Sequence, residues 1–468
     1  MSSYDYNIAV IGSGPAGQRA AVQAAKLGKS VVLIERQTTI GGVMLNTGTI
    51  PSKTMREAIL HLTGYRERSI YGESYSVKQN ISMQDILVHT NHVMGHEMDV
   101  LRNQLLRNNI ELITATASFK DPHTIHLLSK DSNSQRLITA EKIVIAVGTS
   151  ATKPKEIPID GKRIFITDEI LRLSELPSTL AIIGAGVIGL EYGSMLAALG
   201  IRITLIDKSP RLLTFVDTEI TDTLVYHMRQ NRVTLRLNEE VNHIEPFEDE
   251  QGTHVKIFLA SGKQIVTESA LYSIGRTGAT SSLNLTAAGL EPNERGRLEV
   301  NNSFQTTVSH IYAAGDVIGF PSLASTSGEQ GRIAAAHAFG LLSNRVPDVF
   351  PYGIYTIPEI SMIGRTEEDL TNSGVPYECG KAHYREIARG QIIGDETGLL
   401  KLLFHLETRQ ILGIHIIGEG ASELVHIGQA VLSLGGTLDY FIETVFNYPT
   451  LAECYKTAAL DGINRLSA

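Results

Sequence analysis

One pattern occurs twice in this chain of 468 residues, and nothing else in the sequence limits the fold as strongly. The apolar run Ile8-Ala9-Val10-Ile11 leads into Gly12-Ser13-Gly14-Pro15-Ala16-Gly17. An alanine-rich helix to about Leu27 follows, and then a strand, Val31 to Ile34, that ends at Glu35 and Arg36. The second copy runs from a strand, Leu180 to Ile183, through Gly184-Ala185-Gly186-Val187-Ile188-Gly189 into a helix, Leu190 to Leu199. Its closing strand, Arg202 to Ile206, ends at Asp207, and the spacing from first glycine to terminal acid is the same in both copies. Strand, glycine turn, helix, strand and acid is the context that makes a glycine pattern a dinucleotide fingerprint. Any side chain at the glycines would block a pyrophosphate, while the helix N-terminus offers free N–H groups and a positive dipole end. The terminal acid accepts the hydrogen bonds of a ribose diol. Two such units imply two dinucleotide sites, one for a resident cofactor and one for a nucleotide substrate that exchanges.

The length allows about three domains of ~150 residues. A long helix is expected from about Ser82 to Asn109, then β-rich sequence to Ala151 in which Ile143 to Thr149 forms a strand and a turn at Gly148. Gly161 to Leu176 reads as a connector, and Leu271 to Gly278, with Gly275 and Arg276, returns the chain from the second unit. Ile311-Tyr312-Ala313-Ala314-Gly315-Asp316 is a strand ending in an acid, which in a parallel sheet faces the ligand crevice. The character changes from about Arg345. Ile354 to Met362, Gly398 to His405 and Gln410 to Ile417 look like antiparallel strands, and Ala421 to Leu434 like a helix. The expected class is α/β: two Rossmann-like nucleotide-binding domains, 1–151 with 275–345 and 152–274, plus an α+β domain over 346–468.

A formal net charge of −9 argues against an electrostatic nucleic-acid footprint. Cys379 and Cys454 are the only cysteines, too few and too far apart for a disulfide framework or a metal cluster. No metal site is expected, and the reducing cytoplasm fits this usage. Met1 to Asn7 has no basic n-region or apolar h-region. Leu180 to Gly200 is apolar apart from Glu191, but its glycines read as a buried strand–turn–helix and not a membrane span.

The stretch Gly41-Gly42-Val43-Met44-Leu45-Asn46-Thr47-Gly48-Thr49-Ile50-Pro51-Ser52-Lys53 opens a further helix, with Pro51 suited to its first position. Together with the two glycine turns and Gly315-Asp316, it resembles the flavoprotein disulfide reductases, and the resemblance runs from Tyr6 to the C-terminal helix. That resemblance implies FAD on Gly12, Gly14, Gly17, Glu35, Arg36, Gly41, Gly42, Met44, Thr49, Lys53, Gly148, Gly315 and Asp316. It implies NAD(P) on Gly184, Gly186, Gly189, Glu191, Asp207, Lys208, Arg211 and Gly275, and a C-terminal interface domain that makes a homodimer or a higher homo-oligomer. It also implies that Lys53 sits beside the flavin, paired with Glu191.

Two parts of the family pattern are missing. Met44 and Thr49 stand where the family carries its redox cysteine pair. In Asn447-Tyr448-Pro449-Thr450-Leu451-Ala452-Glu453, Tyr448 stands where a histidine, paired with a glutamate, handles thiol protons. A phenol is a poor general base near neutrality. The thiol half-reaction has been lost at two separate places, while the flavin half is intact. What remains can pass hydride from NADPH through flavin N5 to NAD+ by a ping-pong route, and Thr-Ile-Pro-Ser-Lys with Asn-Tyr-Pro-Thr resembles the branch of the family devoted to soluble pyridine nucleotide transhydrogenation. Asp207 favours NAD, whereas Lys208 and Arg211 could hold a 2′-phosphate. An NAD(P)H:quinone or dye reductase of the same fold is the alternative, and a flavin-binding interaction protein is the alternative of another class.

Overall fold

The structure is a computed structural model that describes residues 4–129, 134–249, 252–341 and 346–466. The chain divides into two compact units, one of Met1–Met55, Leu87–Thr152 and Gly275–Val346, the other of Arg56–Ile86, Lys153–Ile274 and Pro347–Ala468. Residue 345, where the sequence reading closes the first domain, lies outside the described residues.

In the first unit the strands Glu111–Thr114, Val31–Glu35, Tyr6–Ile11, Gln135–Ile145 and Ile311–Ala313 lie side by side, every pair parallel. Gln135–Ile145 serves two sheets. Its later residues pair with Tyr6–Ile11, while its first half pairs antiparallel with Thr124–Leu128, which pairs in turn with Thr116–Asp121. Successive strand side chains point to opposite faces, and the apolar residues divide accordingly. Ile8, Val10, Val31, Leu33 and Val144 pack under Ala16, Ala20, Ala21 and Ala24 of the helix Pro15–Lys26. Ala9, Ile11, Val32, Ile34, Ile143 and Ile145 pack on the other face with Leu283 and Leu285. Near-continuous apolar strands are what a parallel sheet covered on both sides requires.

The second unit carries a parallel sheet in the order Thr234–Leu237, Arg202–Asp207, Thr179–Ile183, Ser269–Tyr272, Ile164–Ile166. The expected connector Gly161 to Leu176 therefore contains an edge strand, Ile164-Phe165-Ile166, all three residues buried. A three-stranded antiparallel sheet, Val241–Asp249, Gly252–Leu259 and Gln264–Thr267, covers one face through Ile244, Val255 and Ile257. The C-terminal part is a five-stranded antiparallel sheet backed by Ala421–Ser433 and Glu453–Leu466. Ile354 to Met362 is not one strand: Tyr352–Ile354 and Ile360–Gly364 pair antiparallel across an irregular stretch containing Pro358, since proline lacks the N–H a continuous strand would need.

A buried ion cluster ties this unit together. Lys401, 1 % exposed in the middle of a strand, donates to Asp217 at 2.9 Å and lies 3.1 Å from Glu219 and 3.2 Å from Glu367. Lys401 and Asp217 are the buried pair, and removing either leaves the other uncompensated, whereas Glu219 and Glu367 are partly exposed.

Candidate functional site

The first glycine turn follows from three different demands on glycine. Gly12 has φ of +103°, and a Cβ there would strike the Ala146 carbonyl. A Cβ on Gly17 would run into the Gly12 carbonyl, so the helix could not seat on the turn. Around Gly14 nothing lies within 4 Å of a built Cβ. That open space is where a ligand's backbone-hugging group fits, at a helix N-terminus with no side-chain cap on its N–H groups.

Glu35, 7 % exposed, closes the turn. Its Oε2 accepts the Ser13 N–H at 3.1 Å and the Ser13 hydroxyl at 2.6 Å, and its Oε1 accepts the Gln37 N–H at 2.9 Å. Since a carboxylate offers roughly four acceptor positions, capacity remains for a ribose hydroxyl. The Ser13 hydroxyl in turn accepts from the Gly41 N–H at 3.0 Å. A Cβ on Gly42 would come within 2.9 Å of the Gly14 Cα, so the second glycine pair lies directly on the first turn. Arg36 is exposed beside it.

Beyond Gly41 a single turn, Gly42–Asn46, carries half-buried Met44, and a second helix, Thr49–Thr63, begins with exposed Thr49. The helix starts two residues earlier than expected, so Pro51 is its third residue. Its missing N–H still costs nothing, because the first intrahelical bond runs from the Ser52 N–H to the Gly48 carbonyl at 2.9 Å. Lys53 is half-buried and its Nζ lies 3.3 Å from the Ser52 hydroxyl. No thiol is present in this segment. Cys379 and Cys454 are buried elsewhere, and burial pushes their thiols up to about 11 and about 12, which leaves them inert as nucleophiles near neutrality.

Gly315-Asp316 reaches the same unit's turn from the far end of the chain. Gly315 has φ of +82° and its N–H donates to the Gln330 side chain at 2.9 Å. The helix Ala324–Ala338 that carries Gln330 lies against Pro15–Lys26 so closely that a Cβ on Gly331 would strike the Ala16 carbonyl. Asp316 takes long hydrogen bonds, 3.5 Å each, from the Thr149 and Ser327 hydroxyls. Burial raises its carboxyl above the usual carboxylate range, against the pull of Arg276. Arg276 is fixed by Thr149, through Nε to the hydroxyl at 2.9 Å and Nη2 to the carbonyl at 3.1 Å. Gly148, with φ of +64°, precedes this pair and faces open space.

In the second unit, the repeat extends to individual bonds. Gly184 has φ of +100° and its N–H meets the Ile206 carbonyl at 2.8 Å, as Gly12 meets Ile34 at 2.8 Å. A Cβ on Gly189 would strike the Gly184 carbonyl, and Gly186 faces open space. Asp207 accepts the Ala185 N–H at 2.6 Å and the Ser209 N–H at 2.7 Å. Lys208 is exposed; Arg211 is also exposed, with its guanidinium on the Thr218 hydroxyl and 3.7 Å from Glu368. Glu191, 5 % exposed, accepts the Tyr355 N–H at 2.8 Å. Gly275, assigned from sequence to the second nucleotide, belongs to a segment of the first unit. Tyr448 is 73 % exposed. Glu453 Oε2 is buried with no hydrogen-bond partner among the described residues.

Ser13, Thr149, Arg276 and Gln330 were not singled out from sequence as site residues. Only the position of Ser13 between two glycines could have marked it.

Residues 6–331 match the family model described as pyridine nucleotide-disulphide oxidoreductase, and residues 350–459 match that family's dimerisation domain. The chain belongs to the pyridine nucleotide-disulphide oxidoreductase family. Family membership makes it an oxidoreductase with FAD as bound cofactor and NAD(P)(H) as nucleotide substrate, and the glycine cradle with buried Glu35 fits that cofactor. Over 464 residues it is 51% identical to a soluble pyridine nucleotide transhydrogenase of Mycobacterium bovis, covering 99% of this chain and 98% of the relative. A protein of the same name from Colwellia psychrerythraea is 44% identical, covering 99% of each chain. Among solved structures, LpdA from Mycobacterium tuberculosis superposes with a TM-score of 0.88 at 25% identity, over 98% of this chain and 99% of that one. The HOCl-induced flavoprotein disulfide reductase RclA from Escherichia coli gives 0.86 at 27%, over 97% and 99%. Among the described residues no helix is long and apolar enough to cross a membrane.

Proposed function

We propose that this protein is an FAD-dependent soluble NAD(P)+ transhydrogenase that moves hydride between NADPH and NAD+ in ping-pong order. One observation carries the reading: both dinucleotide turns are complete, while Met44, Thr49 and Tyr448 occupy the positions of the thiol machinery. The names of the relatives at 51% and 44% identity support it. Bound FAD supplies the hydride acceptor and donor. The chain's own residues bind, orient and exclude water. Gly12, Gly14, Gly17, Glu35, Gly41, Gly42, Gly148, Gly315 and Asp316 would hold the flavin nucleotide, with Arg36, Met44 and Thr49 beside it, in a domain of 1–151 and 275–345. Gly184, Gly186, Gly189, Asp207, Lys208 and Arg211 would serve the exchanging nucleotide of a domain spanning 152–274, and the resemblance assigns Gly275, just past its end, to the same nucleotide. Lys53 and Glu191 are the flavin-side pair that the resemblance assigns. A cation there would favour an anionic reduced ring electrostatically. The dimerisation domain at 350–459 supports a homodimer, and the reading places it in the cytoplasm.

The purified protein should be mixed anaerobically with NADPH and then given thio-NAD+. Stoichiometric NADPH loss with appearance of reduced thio-NAD, and parallel lines in double-reciprocal plots, are expected. Electrons that leave only to quinones would sink the reading.

A further inference from the structure

The helix Met83–Arg107 buries Leu101 and Leu105 in the core of the first unit and turns another face to solvent. His89, His92, His96 and Asp99 follow one another at spacings of three, four and three, so they share a single stripe along that outer face. All four residues are exposed. The rings of His92 and His96, one helical turn apart, already meet edge to face, with centroids 4.5 Å apart and planes at 63°. Among the described residues neither ring has a hydrogen-bond partner, unlike His123, His310 and His415, each of which has one ring nitrogen on a backbone carbonyl at 2.8 to 2.9 Å.

We propose that His92 and His96 form a surface chelate for a divalent d-block cation. Two imidazoles at i and i+4 on one helix face can bind one ion, the spacing by which a helical His pair supplies two of the protein ligands of a zinc site. Imidazole selects Cu2+, Ni2+ or Zn2+ over Mg2+ and Ca2+, with Cu2+ the tightest of the three. The formal net charge of −9 favours the approach of a cation. Water completes the coordination shell. The ion links consecutive turns of a helix that carries core residues, so it binds the folded chain in preference to the unfolded one and stabilises it.

The test uses flavin-loaded protein stripped with EDTA and titrated with CuCl2 in a non-coordinating buffer, followed by calorimetry and electron paramagnetic resonance. One equivalent should bind with a nitrogen-ligated copper spectrum. His92→Gln and His96→Gln should each weaken binding by about tenfold or more. Glutamine keeps the helix propensity high, so both variants should fold. His61→Gln, which alters an exposed histidine off this helix, should bind like the parent. Ni2+ should raise the melting temperature of the parent and of His61→Gln but of neither chelate variant. Absence of stoichiometric binding, unchanged affinity in either chelate variant, or an equal loss in His61→Gln overturns the proposal.

Discussion

The two glycine turns share their backbone geometry and differ in what surrounds it. In the first, Ser13 links Glu35 to Gly41, and Gly42 seats a second loop on Gly14. In the second, Ala185 stands at the matching place, so Asp207 receives only backbone N–H groups. Glu35 is buried, whereas Asp207 is half-exposed with exposed Lys208 and Arg211 following it. Polar groups already fixed by protein partners reduce the ordering cost of binding, which suits a cofactor that stays. A turn with one layer and exposed charges suits a nucleotide that must leave every cycle.

The largest effect expected is at Gly17→Ala. Backbone must move to clear the Gly12 carbonyl, so stability should fall by about 3 kcal/mol or more and purified protein should carry almost no flavin by absorbance. Gly189→Ala sharpens the contrast, since it makes the same clash in the other unit. Flavin content should stay near that of the parent while kcat/KM for NADPH falls on the order of a hundredfold; equal flavin loss in both variants would break the distinction. Ser13→Ala should weaken the flavin site by about 1–3 kcal/mol, because it strands the Gly41 N–H and leaves the buried Glu35 Oε2 only the backbone N–H of residue 13. Ala185→Ser puts a hydroxyl at a buried position where Asp207 already has its backbone partners, and should change stability by about 1 kcal/mol or less. Differential scanning on both proteins measures the pair.

The smallest effect is at Asp316, which lies outside both glycine-turn repeats. Its carboxyl is raised by burial, so its favourable contribution is complete below the ordinary aspartate value of about 4 and is lost as pH rises through the folded value. Flavin-free parent should therefore lose stability from pH 4 to pH 7 relative to flavin-free Asp316→Asn. Parallel melting curves across that range would remove Asp316 from the account.

Both turns were legible because the glycines, the apolar runs and the terminal acid that signal them lie within about two dozen residues of one another. What failed or was missed depends on distant partners. Ile164-Phe165-Ile166 is a strand because Ser269–Tyr272 lies beside it, and three residues carry too little periodicity to announce that. Lys401 sits in a run of leucines as though misplaced, until Asp217 is found 2.9 Å away. Arg276 and Thr149 are unremarkable in sequence and meet only in space. The break at Pro358 was readable from the proline itself, which cannot donate to a strand ladder.

The crossing of Pro15–Lys26 by Ala324–Ala338 at Gly331 also governs when the protein can form. The first turn is written at the N-terminus, yet the Gly315-Asp316 segment, Gln330 that holds Gly315, and the strand Ile311–Ala313 that pairs with Gln135–Ile145 come from far downstream. A ribosome adding roughly 5–20 residues per second would expose a half-finished apolar sheet for many seconds before its last parallel strand emerged. Pairings of such long sequence separation are slow to close and prone to aggregate while open. The nascent chain is thus most vulnerable during the synthesis of the second repeat, and the order of translation is opposed to the order in which the flavin cradle can be completed.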